Sequence, residues 1–121
     1  MNEAPAILIV EDEPLITMML EDFLDALGYR VAGTADGLGA ALELVAAGGF
    51  DAAILDVNLR DGEPSWPIAD ALADQGTPFL LATGGQRDEG PARHRAVPVL
   101  SKPFTMDGVK AAFGRLLPAA A

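Results

Sequence analysis

Five short apolar runs punctuate the chain: Ala6 to Val10, Arg30 to Thr34, Ala52 to Leu55, Pro78 to Ala82 and Val97 to Leu100. The first is a continuous run of mostly branched residues, the mark of a strand buried on both faces, and the second is a weaker version of it. Between them the period changes. Ile16, Leu20, Phe23 and Leu27 recur at helical spacing, with Pro14 suited to the first turn and Gly28 to the stop. Leu38, Ala41, Leu42 and Val45 predict a second helix, closed by Gly48-Gly49. Ser65 is placed to cap a third, running through Leu72 and ending near Gly76, with Pro67 in its first turn. Met106, Val109, Phe113, Leu116 and Leu117 predict the last. Arg60 to Pro64 reads as a loop. Arg87 to Arg95, which contains Gly90 and Pro91, supports only a short or frayed helix. Strands alternating with helices imply an α/β fold: a parallel sheet of five strands, doubly wound, with right-handed crossovers. No repeat, linker or second domain is visible, so one domain is expected over 1–121.

Composition narrows the function. Half of the residues are hydrophobic and only 6% aromatic, so the core should be aliphatic. Cysteine is absent, which excludes disulfides and thiolate metal sites. No apolar run approaches the roughly 20 residues of a membrane span, and the start lacks the basic region of a signal peptide. A cytoplasmic location with no membrane partner is expected. The net charge of −10, from 18 acidic and eight basic residues, opposes nucleic-acid binding and favours divalent cations and basic protein surfaces. The one histidine, His94, cannot build a zinc site and is expected to face solvent. The glycines lack the Gly-Lys-Ser/Thr of a phosphate-cradling loop.

The chemistry lies at the strand ends. Glu11 and Asp12 follow the first run, Asp56 the third, Thr83 the fourth, and Ser101-Lys102 the fifth. In a parallel sheet these ends share one edge, beside the crevice where ligands of such folds bind. Any one of these residues alone has an ordinary explanation: an acidic helix start, a turn threonine, a surface lysine. Together they place three carboxylates, a hydroxyl and an ammonium in one place. Crowded carboxylates repel, and Mg²⁺ relieves that while taking only one or two of them directly. Asp12 and Asp56 are the expected direct ligands, Glu11 acts through water, and the Asn58 carbonyl is a further oxygen. Asp56, beside Mg²⁺, Lys102 and Thr83, is equipped to accept a phosphoryl group as an aspartyl-phosphate.

As a set, Glu11-Asp12, Asp56, Thr83 and Lys102-Pro103 resemble the pocket of bacterial response-regulator receiver domains, over nearly the whole chain. The resemblance implies a flavodoxin-like (βα)5 fold with strand order 2-1-3-4-5. It implies phosphorylation of Asp56 from a phosphohistidine on a sensor histidine kinase or histidine phosphotransferase. It further implies that Lys102 pairs with the phosphoryl group, that Thr83 moves to bond it, and that the Lys102-Pro103 peptide is cis. The output would be a changed face around the segment after the fourth strand and the fifth strand, read by a downstream protein. Receiver domains also dock kinase helices on their first helix. Met18 lies on the polar side of that helix, opposite Ile16, Leu20 and Phe23, so Leu15 and Met18 are the partner-face candidates.

Two departures matter. Many receivers carry an aromatic residue three positions before the lysine, where this chain has Val99, so the usual aromatic rotation has no counterpart. Pro78 to Gly85, PFLLATGG, is similar to the FAT GUY subgroup tied to bacterial stress signalling, with Leu81 in place of its Phe. Gly85 has no side chain to cover the pocket and Asn58 is placed to orient a water, so a short-lived phosphorylated state is expected. Two other functions are weighed. A haloacid-dehalogenase-like phosphatase would need a second Asp two residues after Asp56, where Asn58 stands. An unphosphorylated pseudo-receiver that only binds would lack pocket residues, and none is missing. The chain is therefore expected to be a signalling phosphoacceptor with no chemistry beyond its own phosphorylation and dephosphorylation.

Overall fold

The computed structural model describes residues 4–57, 59, 63–83, 92–94 and 96–117. They form a parallel five-stranded sheet in the order β2-β1-β3-β4-β5, built from β1 (Ala6–Val10), β2 (Arg30–Ala35), β3 (Ala52–Asp56), β4 (Phe79–Thr83) and β5 (Val99–Ser101). The helices are α1 (Pro14–Ala26), α2 (Leu38–Ala47), α3 (Trp66–Gln75) and α4 (Met106–Leu116), with a 3₁₀ turn at Ala92–His94. The expected fold class and strand order are both met. No described helix is long and apolar enough to cross a membrane.

The continuous apolar strands have a simple cause. Successive side chains point to opposite faces, and here each face has its own core. Ile7, Ile9, Ile54 and Leu80 pack with Leu20 and Leu24 of α1 and Val109 and Phe113 of α4. Leu8, Val10, Leu55 and Leu81 pack with Ala41 and Val45 of α2 and Ile68 and Leu72 of α3. Gly76 takes the left-handed conformation (φ 74°) that closes α3. Thr105 Oγ1 accepts the Gly108 N–H at 3.0 Å and caps α4.

Four expectations are corrected. Strands β3, β4 and β5 each end one residue later than the apolar runs, and β4 and β5 also start later, because pairing continues past the last apolar residue: Asp56 is level with Ala82, and Thr83 with Ser101. Val97 is not in β5; its N–H bonds the His94 carbonyl at 3.2 Å and closes a turn. Ser65 stands at the start of α3 but does not cap it. Its buried hydroxyl donates backwards to the Val57 carbonyl at 3.1 Å.

His94 is the largest correction. Its side chain is 1% exposed, and Nε2 lies 2.7 Å from Asp70 Oδ1. The ring stacks on Trp66 (centroids 6.0 Å apart, planes 8° apart) and meets Phe79 edge-on at 5.7 Å. The polar neighbours that suggested exposure are spent on α3: Arg93 reaches Asp74 at 3.0 Å and Asp70 at 3.5 Å.

Phe113 is fully buried and its ring lies 5.6 Å from that of Tyr29. Phe113→Ala should cost about 3–5 kcal/mol in urea denaturation, from lost transfer energy and the cavity left behind. Leu15→Ala, at a position 79% exposed, should change stability by no more than about 0.5 kcal/mol.

Candidate functional site

In this strand order the chain turns one way from β1 to β2 and the other way to β3. The β1/β3 boundary is therefore the switch point of the sheet. Glu11 follows β1 directly and is tied to the end of β2 by its N–H to the Ala35 carbonyl, at 3.0 Å. Asp56 is the last residue of β3, and the chain just beyond it is fixed by Val57 N–H to the Ala82 carbonyl at 3.0 Å. Thr83, buried, ends β4. Lys102 follows β5, and its N–H donates to the Thr83 carbonyl at 2.8 Å, so these two residues share a rung of the sheet. The Lys102-Pro103 peptide is cis.

The side chains converge. Lys102 Nζ donates to Asp56 Oδ2 at 3.0 Å. It also lies 2.9 Å from Glu11 Oε1, as an ion contact rather than an aligned hydrogen bond. The other Glu11 oxygen accepts the Glu13 N–H at 3.2 Å, at the start of α1, where a carboxylate is favoured. Glu11, Asp12 and Asp56 each offer an oxygen within 4.8 Å of the others. Glu11 and Asp56 are buried and Asp12 is partly so. Burial pushes the Glu11 carboxyl up from 4.5 to about 7; the Asp56 carboxylate adds to the rise, while Lys102 and the Glu13 N–H oppose it. For Lys102, burial works against the charge, but Glu11 and Asp56 outweigh it and hold the ammonium above its ordinary value.

This donor set fits a hard divalent cation. One ammonium faces three carboxylates, all the ligating atoms are oxygens, and the buried Glu11 Oε1 has no hydrogen bond of its own. Such a site suits Mg²⁺, which prefers a few carboxylates and retained waters. Beside it, Asp12, Pro14, Thr17, Met18 and Asp36 line an open cleft of about 450 Å³ that leads to Glu11.

Of the residues singled out in the sequence, Glu11, Asp12, Asp56 and Lys102 come together in one cluster, with Thr83 on the rung beside Lys102. Asn58 and Gly85 lie outside the described residues, as do Gly90 and Pro91. Leu15 and Met18 are exposed, at 79% and 59%, and Val99 is 42% exposed. The sequence reading missed how deeply Glu11 is buried and that Lys102 is shared between two carboxylates. The signal available was the apolar run that ends directly on Glu11.

The folded chain keeps a proton on Glu11 up to about pH 7, whereas the unfolded chain releases it near 4.5. Between those values the folded state binds more protons, so stability falls as pH rises. In chelator, the denaturation free energy should therefore decline as pH rises from 4.5 to about 7. Glu11→Gln should flatten that decline, and added Mg²⁺ should offset it in the wild type.

Residues 7–113 match the response regulator receiver domain family. Among curated proteins, the TorCAD operon transcriptional regulatory protein TorR of Escherichia coli (strain K12) is 34% identical over 82 residues. That stretch covers 68% of this chain and 35% of TorR, so the chain spans about a third of that relative's length. Among solved structures, the solution structure of SdrG from Sphingomonas melonis Fr1 is 58% identical, with a TM-score of 0.85 over 96% of this chain and 98% of SdrG. A BeF3-activated conformation of SdrG, from Pseudomonas melonis Fr1, is also 58% identical, with a TM-score of 0.80 over 97% and 99% of the two chains. The receiver domain of PhyR from Erythrobacter litoralis is 30% identical, with a TM-score of 0.82 over 98% and 97%. A further PhyR structure is described as that of a stress response regulator.

Proposed function

This chain belongs to the response regulator receiver domain family, and from that premise we propose that it is a phosphoacceptor switch in which Asp56 takes the phosphoryl group. The observation that carries the reading is the Lys102 ammonium, 3.0 Å from Asp56 and 2.9 Å from Glu11 at the sheet's switch point. An Asp56 oxygen attacks the phosphorus of a phosphohistidine; the new P–O bond forms as the P–N bond breaks, and the electron pair leaves with the imidazole. Asp12 and Asp56 would hold Mg²⁺ directly, with Glu11 acting through water and Asn58 as a further oxygen donor, and the ion would supply positive charge for the phosphoryl oxygens. Lys102 already touches the acceptor, so its ammonium follows the charge from carboxylate to phosphoryl group. The Thr83 hydroxyl is the donor that senses the new group. The Thr83–Lys102 rung carries its movement to β5, where Val99 offers no aromatic ring to rotate. Pro103, joined to Lys102 by a cis bond, is proposed as a regulatory position beside it. A short-lived phosphorylated state is proposed from the residue types alone, since Gly85 has no side chain and Asn58 carries an amide that can orient water.

The partners follow from the surface. Leu15 and Met18 project from α1 near Asp22 and Asp25, which are exposed too. That face fits a helix of a histidine kinase or histidine phosphotransferase that brings apolar contacts and basic residues. The net charge of −10 argues for a downstream protein over nucleic acid as the output partner. The likeness to PhyR, one structure of which is described as that of a stress response regulator, supports a part in stress signalling, and the place proposed for it is the cytoplasm.

With a small acyl-phosphate donor and Mg²⁺, intact mass should show one added phosphoryl group on the wild type and none on Asp56→Asn. Lys102→Ala should slow the gain about 10-fold or more. An unmodified wild type ends this reading. Leu15→Ser with Met18→Ser should slow transfer from the phosphohistidine donor about 10-fold and leave Mg²⁺ affinity and acyl-phosphate labelling unchanged.

A further inference from the structure

We propose that the contact between His94 and α3 is a brake on this switch, holding the 3₁₀ turn against α3 in the resting chain and yielding when the pocket is phosphorylated. The inference rests on the phosphoacceptor reading above. The chain leaves the pocket in two places that matter. After Asp56 it reaches α3 by way of the Val57 carbonyl, which accepts both the Ser65 N–H and the Ser65 hydroxyl at 3.1 Å. Downstream of Thr83, between β4 and β5, stands the 3₁₀ turn Ala92–His94. These two outgoing paths meet at one contact, the stack of His94 on Trp66, the first residue of α3.

That contact is half dry and half wet. The His94 ring is buried between Trp66 and Phe79, while its carboxylate partner Asp70 is 45% exposed. The Arg93 contacts beside it, to Asp70 and Asp74, are exposed ion pairs of little strength. The joint is therefore specific in geometry yet open to solvent on the side where it must come apart. On β5 the residue level with Thr83 is Ser101, and Val99, level with Leu81, is aliphatic and exposed, so neither offers a ring to follow Thr83. A contact made only in the resting arrangement weights that arrangement by its own free energy, and opposes whatever ligand favours the other.

The chain has one tryptophan and one histidine, so Trp66 emission and the His94 ring resonances each report on this joint alone. The test uses the full chain, first with Mg²⁺ and then with Mg²⁺ and BeF3 as the phosphoryl mimic, with bound BeF3 followed by fluorine NMR. BeF3 should shift the wild-type Trp66 emission and His94 resonances. Asp70→Ala, at a half-exposed site that should fold normally, should bind BeF3 about threefold to tenfold more tightly, as expected for the loss of one such hydrogen bond, with Mg²⁺ affinity unchanged. His94→Phe keeps the aromatic packing, loses the bond, and should do the same. If both variants melt lower but bind BeF3 like the wild type, or more weakly, the joint is merely structural and the proposal fails. It also fails if BeF3 binds the wild type without altering either signal. A wild type that takes no BeF3 overturns the phosphoacceptor reading, and this inference with it.

Discussion

The ammonium of Lys102 stands between two buried carboxylates, and the rest of the site depends on it. Glu11 and Asp56 are 3% and 6% exposed, and neither could be held there at such cost without a cation between them. The sheet makes the arrangement possible. Three strand ends deliver one residue each, and the backbone rungs at Ala35, Ala82 and Thr83 fix where the side chains begin. The compensation is incomplete, as the upward pull on Glu11 shows. The resting site is thus biased towards taking up positive charge before any phosphoryl group arrives.

Much of this could be read from the residues alone, and the limits of that reading have physical causes. Apolar runs mark burial, so they found all five expected strands and the packed residues of α1 and α2, and most of those of α4, where Met106 is exposed. They missed strand ends, because the ladder at Asp56 and Thr83 is held by backbone bonds that polar residues make equally well. The convergence of Glu11, Asp12, Asp56 and Lys102 was legible because a parallel sheet puts like ends on one edge. The sharing of Lys102 between two acids was not, since distance within the cluster leaves no trace in spacing. Ser65 and His94 failed for a common reason. Each is a polar residue in a polar stretch whose partner, the Val57 carbonyl or Asp70, lies across a loop or on another element.

The family places the chain among response regulator receiver domains, and on the reading proposed above its surface would divide the work of the switch. The exposed residues Leu15 and Met18 stand on α1, near the acidic cleft. The Trp66–His94 stack stands on the opposite layer, between α3 and the 3₁₀ turn. Reception of the signal and its restraint would then fall to different helices, joined through the strand ends.

The alternation of β1, β3 and β4 between two cores has an evolutionary corollary. Ile54 and Leu55 are adjacent in the chain but belong to separate compartments, one shared with α1 and α4 and the other with α2 and α3. The sheet backbone is a partition that changes in side-chain volume do not easily cross. If α1 receives the donor and the α3 side restrains the switch, as proposed, a lineage could re-tailor the first layer without disturbing the second, and a duplicated copy could drift to a new donor while keeping its old threshold.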